Sequence, residues 1–279
     1  SNNLITSALL FNVCGRESVL LMFNSAFAIA GNFESRNRMT PEKTGGWTRD
    51  FTDGGKEKFI YDAAMGYKAK GVPLEPRESR HAMGLLKIDQ IREIIHLPRV
   101  RAAWEAEHGK TPEESDVAAL FEAFAPIQMD CIEEYSDVIL GVPELVEKLR
   151  SKGVRIGSST GYTRPMLDRL LPKAARQGYV PDCIVTPDET GQGRPYPWMI
   201  FENMKRLGVY PPESCVKVGD TASDMQEGRN AGLICIGVCD SSSDAAISGA
   251  EHARRVLEHS GAHRTIATAP DLWSILEEL

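Results

Sequence analysis

Asp220 and Asp224 fall within Lys217-Val-Gly-Asp-Thr-Ala-Ser-Asp224, and their spacing is the first feature that could do chemistry. The apolar run at 215–219 predicts a strand and the pattern over 223–231 a helix. One carboxylate then stands at the strand's end and the other in the first helical turn. Two hard oxygen donors are aimed at one point, which suits Mg²⁺. The adjoining helix N-terminus would support an anionic ligand. A plainer role is open to the same residues, since Asp224 or Ser223 is a good helix cap, and capping by one does not exclude metal binding by the other.

Further positions carry potential chemistry. Ser158, Ser159 and Thr160 follow a short β-branched run and precede a helix, so their hydroxyls and backbone N–H groups could hold a phosphate. Ser/Thr-Gly turns are also ordinary loop chemistry. Arg194, in Gly193-Arg-Pro-Tyr-Pro197, sits on a loop stiffened by proline, where a fixed guanidinium pairs well with phosphate or phosphonate. A surface arginine would look no different. Lys87, in Met83-Gly-Leu-Leu-Lys-Ile-Asp89, lies among apolar residues. A desolvated lysine becomes an amine nucleophile for a carbonyl, whereas on a merely amphipathic helix it would snorkel to water.

These residues need elements to position them. From residue 142 onward, helix-spaced segments alternate with short strands at 154–157, 182–186, 215–219 and 233–238. Such alternation implies βαβ units and a parallel sheet with its functional groups at the strands' carboxyl ends. Residues 71–135 differ in kind. They hold helix-spaced segments at 83–97, 99–108 and 113–134, punctuated by Pro73, Pro76, Pro98 and Pro112, with no strand. A helical insert is the economical reading. Residues 32–58 are polar, Gly-rich and aperiodic, which predicts loop or disorder. The apolar runs at 8–13 and 19–23 have the character of a central strand.

Composition narrows the function classes. A net charge of −7 leaves no global basic surface for nucleic acid, which favours small-molecule chemistry. The six cysteines are scattered, mostly in apolar runs and without a C-x-x-C pair, as expected of buried thiols in a reducing compartment. Residues 19–30 resemble a short signal-peptide core, but only Arg16 precedes them as a positive charge, with Glu17 beside it. The run is too short and interrupted to span a bilayer, so the expectation is a cytoplasmic protein with no membrane partner.

Taken together, Met83-Gly-Leu-Leu-Lys-Ile-Asp89, Ile156-Gly-Ser-Ser-Thr-Gly-Tyr-Thr-Arg164, Gly193-Arg-Pro-Tyr-Pro-Trp-Met199 and the segment from Lys217 to Gly232 resemble the phosphonoacetaldehyde hydrolases, or phosphonatases, of the haloacid dehalogenase superfamily. The resemblance runs from about residue 68 to the C-terminus. It implies an α/β fold with a haloacid dehalogenase-type, Rossmann-like parallel sheet core at 137–279 and an inserted α-helical cap domain at 59–136. Residues 1–58 would be an atypical N-terminal segment, with the first core strand within 8–23. The resemblance also implies that Lys87 forms a Schiff base with phosphonoacetaldehyde or a similar small phosphonate. Thr160 and Arg194 would grip the phosphonyl oxygens, Tyr162 would lie near the reacting carbon, and Met83 would pack around the lysine. Asp220 would hold Mg²⁺ with Asp224 in support, and the protein would be a homodimer joined through its cap domains.

The resemblance breaks at two places. The family begins with a hydrophobic strand ending in Asp-x-Ala-Gly-Thr, whose Asp is the nucleophile and a metal ligand, and that motif is absent. An ungapped match puts Gly46 at the nucleophile; a gapped match, preferred for its apolar strand, puts Asn12 there. Gln90 replaces a family histidine thought to move protons for imine formation, and glutamine does not titrate near neutrality. The resemblance therefore implies C–P bond hydrolysis that is impaired in this chain, with a catalytically silent dimer, an incomplete gene model or a general phosphate-ester phosphatase as the alternatives.

Overall fold

The structure, a computed structural model, describes residues 19–24, 66–132 and 136–277. Val19–Asn24 forms β1, and its apolar run suits a strand buried on both faces. It lies inside a six-stranded sheet ordered β3-β2-β1-β4-β5-β6, in which every pairing is parallel. The other strands are β2 (Val154–Ser159), β3 (Cys183–Val185), β4 (Cys215–Gly219), β5 (Ile234–Val238) and β6 (Arg264–Ile266). Alternate β1 side chains serve opposite faces, as strand geometry requires. Leu21 and Phe23 join Leu145, Val146, Met166 and Leu167 in one core cluster, while Leu20 and Met22 join Ile200 and Met204 in another.

Helices α1 (Pro76–Ser79), α2 (Lys87–Ile95), α3 (Pro98–His108) and α4 (Glu114–Cys131) all fall between β1 and β2 in sequence. Ile91, Ile94, Val100, Trp104, Val117 and Leu120 bury their apolar faces against one another. Helices α5 (Val142–Ser151), α6 (Arg164–Arg176), α7 (Pro187–Thr190), α8 (Trp198–Leu207), α9 (Ala222–Asn230), α10 (Ser243–Ser248), α11 (Ala250–His259) and α12 (Leu272–Glu277) belong to the sheet's connections and C-terminal part. This is the α/β parallel-sheet core with inserted helices expected from the sequence.

One expectation is corrected. The helix expected over 83–97 begins only at Lys87, because Ala82 at φ 55° and Gly84 at φ 91° hold the preceding residues in turns. The strand expected around Asn12 lies outside the described residues; the described central strand is Val19–Asn24, which begins in the second of the two apolar runs.

Candidate active site

The carboxyl ends of β1, β2 and β4 lie side by side. Asn24 is in register with Ser159, and Phe23 with both Ser158 and Val218. Thr160 follows β2 directly and Asp220 follows β4 directly, so strand pairing alone brings these loops together.

Asp220 and Asp224 separate into different environments. Thr221 caps α9: its hydroxyl accepts the Asp224 N–H at 3.2 Å and donates back to Asp224 Oδ2 at 2.6 Å. Asp224 Oδ1 faces Arg194 Nη1 at 3.2 Å and Lys217 Nζ at 3.1 Å. Burial pushes the Asp224 carboxyl up, but Arg194, Lys217 and the Thr221 hydrogen bond outweigh it and hold its pKa at about 2. Asp224 thus shares in capping and is also occupied by two cations, which leaves it unsuited to ligating a metal directly. Asp220 is buried at the mouth of the sheet. Mg²⁺ keeps several waters and needs only one or two carboxylates plus phosphate oxygens. Asp220 fits such a site as one donor, although no group of three or more His, Cys, Asp or Glu side chains converges among the described residues.

Arg194 is buried rather than a surface residue, and all three of its guanidinium nitrogens are engaged. Nε donates to Glu227 Oε2 at 3.1 Å, Nη1 to the Gly84 carbonyl at 3.2 Å and Nη2 to Ser159 Oγ at 3.1 Å. Lys217 Nζ donates to Glu227 Oε2 at 2.7 Å and to Ser159 Oγ at 2.9 Å. Two buried cations and two buried carboxylates therefore interlock with one hydroxyl. Removing one member would leave a buried charge uncompensated, at a cost of about 3–5 kcal/mol.

Segment 83–87 is laid onto this face. Ser223 Oγ donates to the Met83 carbonyl at 3.1 Å. The fit requires glycine at two crossings. A Cβ on Gly84 would stand 2.3 Å from Ser223 Oγ, and one on Gly161 would stand 2.4 Å from the Leu85 carbonyl oxygen. This docking places Lys87 at the first position of α2 with its Nζ 5.6 Å from the Tyr162 ring centroid. Lys87 Nζ donates to Gln90 Oε1 at 3.0 Å, and the Gln90 amide is oriented by the carbonyls of Ser79 and His81 and by Met83 Sδ at 3.9 Å. Burial, and secondarily the charge of Arg194, push the Lys87 amine down to about 8. At neutral pH its unprotonated fraction exceeds an ordinary lysine's by roughly two orders of magnitude. Thr160 Oγ1 accepts the Tyr162 N–H at 3.1 Å, a bond that does not use its hydroxyl proton.

Lys87, Met83, Tyr162, Thr160, Arg194, Asp220 and Asp224 are thus assembled at one end of the sheet and on the segment docked there. Sequence reasoning passed over Lys217 and Glu227 and offered Ser159 only as a phosphate-holding hydroxyl, since nothing in their spacing says that they meet across three elements. It also missed Asn24. The signal for that position was available in Asn24-Ser-Ala-Phe-Ala28, which follows an apolar run and shares with Asp-x-Ala-Gly-Thr the alanine at the third place.

Comparison with known proteins points the same way. The family model for haloacid dehalogenase-like hydrolases matches residues 29–232. The phosphonoacetaldehyde hydrolase of Bacillus cytotoxicus is 43% identical over 225 residues, covering 76% of this chain and 85% of the relative. That of Bacillus cereus is 42% identical over 227 residues, with 76% and 86% covered. Among solved structures, a phosphonoacetaldehyde hydrolase-like protein from Oleispira antarctica superposes with a TM-score of 0.78 at 28% identity, covering 94% of this chain and 91% of that one. A β-phosphoglucomutase from Clostridium difficile, at 13% identity and a TM-score of 0.61 with 93% and 97% covered, shares the fold.

Proposed function

Because the chain belongs to the haloacid dehalogenase-like hydrolases, within the phosphonoacetaldehyde hydrolase family, we propose that its site is built to take phosphonoacetaldehyde or a similar small phosphonate-bearing aldehyde. The observation that carries this reading is Lys87, a half-buried amine of lowered basicity delivered to the carboxyl end of the sheet beside Arg194 and Tyr162. A phosphate-ester phosphatase would leave that amine idle.

The Lys87 amine attacks the aldehyde carbon, and loss of water gives an iminium ion. The iminium accepts the electron pair of the C–P bond, so that bond breaks as an enamine forms. The Thr160 hydroxyl and the fixed positive charge of Arg194 hold the phosphonyl oxygens, and Tyr162 closes the site over the reacting carbon. Mg²⁺ held at Asp220, when bound, supplies positive charge that offsets the charge on the transferring phosphoryl group. Asp224 supports that site while its carboxylate stays paired with Arg194 and Lys217. Gln90 fixes the lysine but moves no proton, which slows imine formation.

The leaving phosphoryl group needs an acceptor, in this family an aspartate at the end of the first strand. Residue 24, where β1 ends, is an asparagine. The chain therefore retains the lysine half of the reaction and has little or no turnover. Incubation with phosphonoacetaldehyde and Mg²⁺, with acetaldehyde release followed, tests this: release at the rate of the Bacillus relatives run in parallel would refute it.

A homodimer formed through helices α1–α4 and a cytoplasmic setting complete the reading. Cys183, Cys215, Cys235 and Cys239 are free thiols, and no helix among the described residues is long and apolar enough to cross a membrane.

A further inference from the structure

Glu227 has no part in the steps above, yet it lies at the centre of the buried charge cluster. It stands three residues beyond Asp224 on α9, on the same helical face, and is fully buried. Its Oε2 receives three donors: Lys217 Nζ at 2.7 Å, Ser159 Oγ at 2.9 Å and Arg194 Nε at 3.1 Å. Lys217 is rooted in β4 and Ser159 in β2, so the carboxylate is itself held by the two strands that flank β1.

The consequence runs through Arg194. A guanidinium is a rigid plane, so fixing its Nε edge also fixes where Nη1 and Nη2 point. With Nε on Glu227 and Nη2 on Ser159, Nη1 is directed at the Gly84 carbonyl. Gly84 belongs to the segment that ends at Lys87, and Arg194 is also the charged group that, after burial, bears on the lysine's basicity. We propose that Glu227 is a positioning residue acting through Arg194: by holding the guanidinium's Nε edge, it keeps Nη1 on Gly84 and so holds Lys87 in place. This inference rests on the reading of Lys87 as an amine nucleophile.

A purely structural role, in which Glu227 only neutralises buried Lys217, makes a different prediction. The test is reductive methylation of the full chain with formaldehyde and cyanoborohydride, read at Lys87 by peptide mass spectrometry between pH 6.5 and 10. The amine condenses with formaldehyde, water leaves, and hydride from the reagent reduces the imine. No phosphonate is involved. The groups facing Lys87 are Gln90 from its own helix, Tyr162 from the loop after β2 and Arg194 from the loop after α7.

In the wild-type chain, Lys87 labelling should rise through a midpoint near 8. Glu227→Gln, which keeps the shape and removes the charge, should move that midpoint upward and cut Lys87 labelling at pH 8 by about three- to tenfold. In an Arg194→Met background the same substitution should add nothing further, because the residue through which it acts is gone. An unchanged profile for Glu227→Gln, or effects of the two substitutions that simply add, overturns the proposal. If thermal melting shows that Glu227→Gln does not fold, Ser159→Ala, which removes the Nη2 acceptor, carries the same expectation and the same overturning result. A wild-type chain in which Lys87 labels no faster at pH 8 than surface lysines would instead sink the reading of Lys87 as a nucleophile.

Discussion

Arg194 Nη1 lies 3.2 Å from the carbonyl oxygen of Gly84, a bond that joins a cation buried at the end of the parallel sheet to the segment presenting Lys87. The site is therefore formed where two parts of the chain touch. Gly84→Ala tests that contact. Its φ of 91° is strained for alanine, and the new Cβ would meet Ser223 Oγ at 2.3 Å and Thr221 Oγ1 at 2.6 Å. The segment must lift, so Lys87 labelling at pH 8 should fall about tenfold while the sheet still folds, at a stability cost of about 1–3 kcal/mol. Peptide-level labelling beside a urea melt separates the two effects.

Lys87→Arg keeps a positive charge and removes the primary amine. Borohydride in the presence of phosphonoacetaldehyde should then leave the chain without the adduct formed in the wild type. The wild-type adduct yield should rise with pH through about 8, since the amine reacts in its neutral form and burial has lowered its basicity. A yield that climbs only above pH 10 would mean that the lysine is not desolvated.

Asp224→Asn reports on the charge cluster. The Asp224 carboxyl is depressed in the folded state to about 2 from 3.8, so its stabilisation is present above about pH 4 and is lost as pH falls toward 2. That shift is worth on the order of 2 kcal/mol at neutral pH. The substitution also strips Arg194 and Lys217 of a partner, so the total loss should reach about 3–5 kcal/mol. Urea unfolding should show the gap between wild type and variant narrowing from pH 4 to pH 2.

Asn24→Asp puts a carboxylate residue at the end of β1, in register with Ser159 and one strand from Asp220. If the absent acceptor is what limits the chain, this variant should release acetaldehyde from phosphonoacetaldehyde at least about tenfold faster than the parent in the presence of Mg²⁺. Equal rates for the two would place the block elsewhere, with Gln90 the next residue to change.

Much of this site was legible because its residues lie next to strand ends, and strand ends can be read from short apolar runs. Asp220 after Cys215–Gly219 and Thr160 after Val154–Ser159 needed only the local pattern. Lys87 was visible as an oddly placed charge, but its helix boundary was not. Helical periodicity continues back to Met83, but Ala82 and Gly84 stand at positive φ, and Gly84 lies so close to Thr221 and Ser223 that a Cβ there would clash. The Glu227–Arg194–Lys217–Ser159 cluster was hidden for a similar reason. Each residue sits in an unremarkable local pattern, and the ion pairs exist only once β2, β4 and α9 are assembled. Asn24 was overlooked because two apolar runs competed for the first strand, and the pairing of Val19–Asn24 with both β2 and β4 exists only in the folded sheet.

The most direct test of the central claim is borohydride trapping of the wild-type chain with phosphonoacetaldehyde, followed by peptide mapping. A single reduced adduct at Lys87, suppressed by inorganic phosphate competing for the phosphonyl site, is the predicted result. No adduct at Lys87, or equal modification of the exposed lysines, would contradict it.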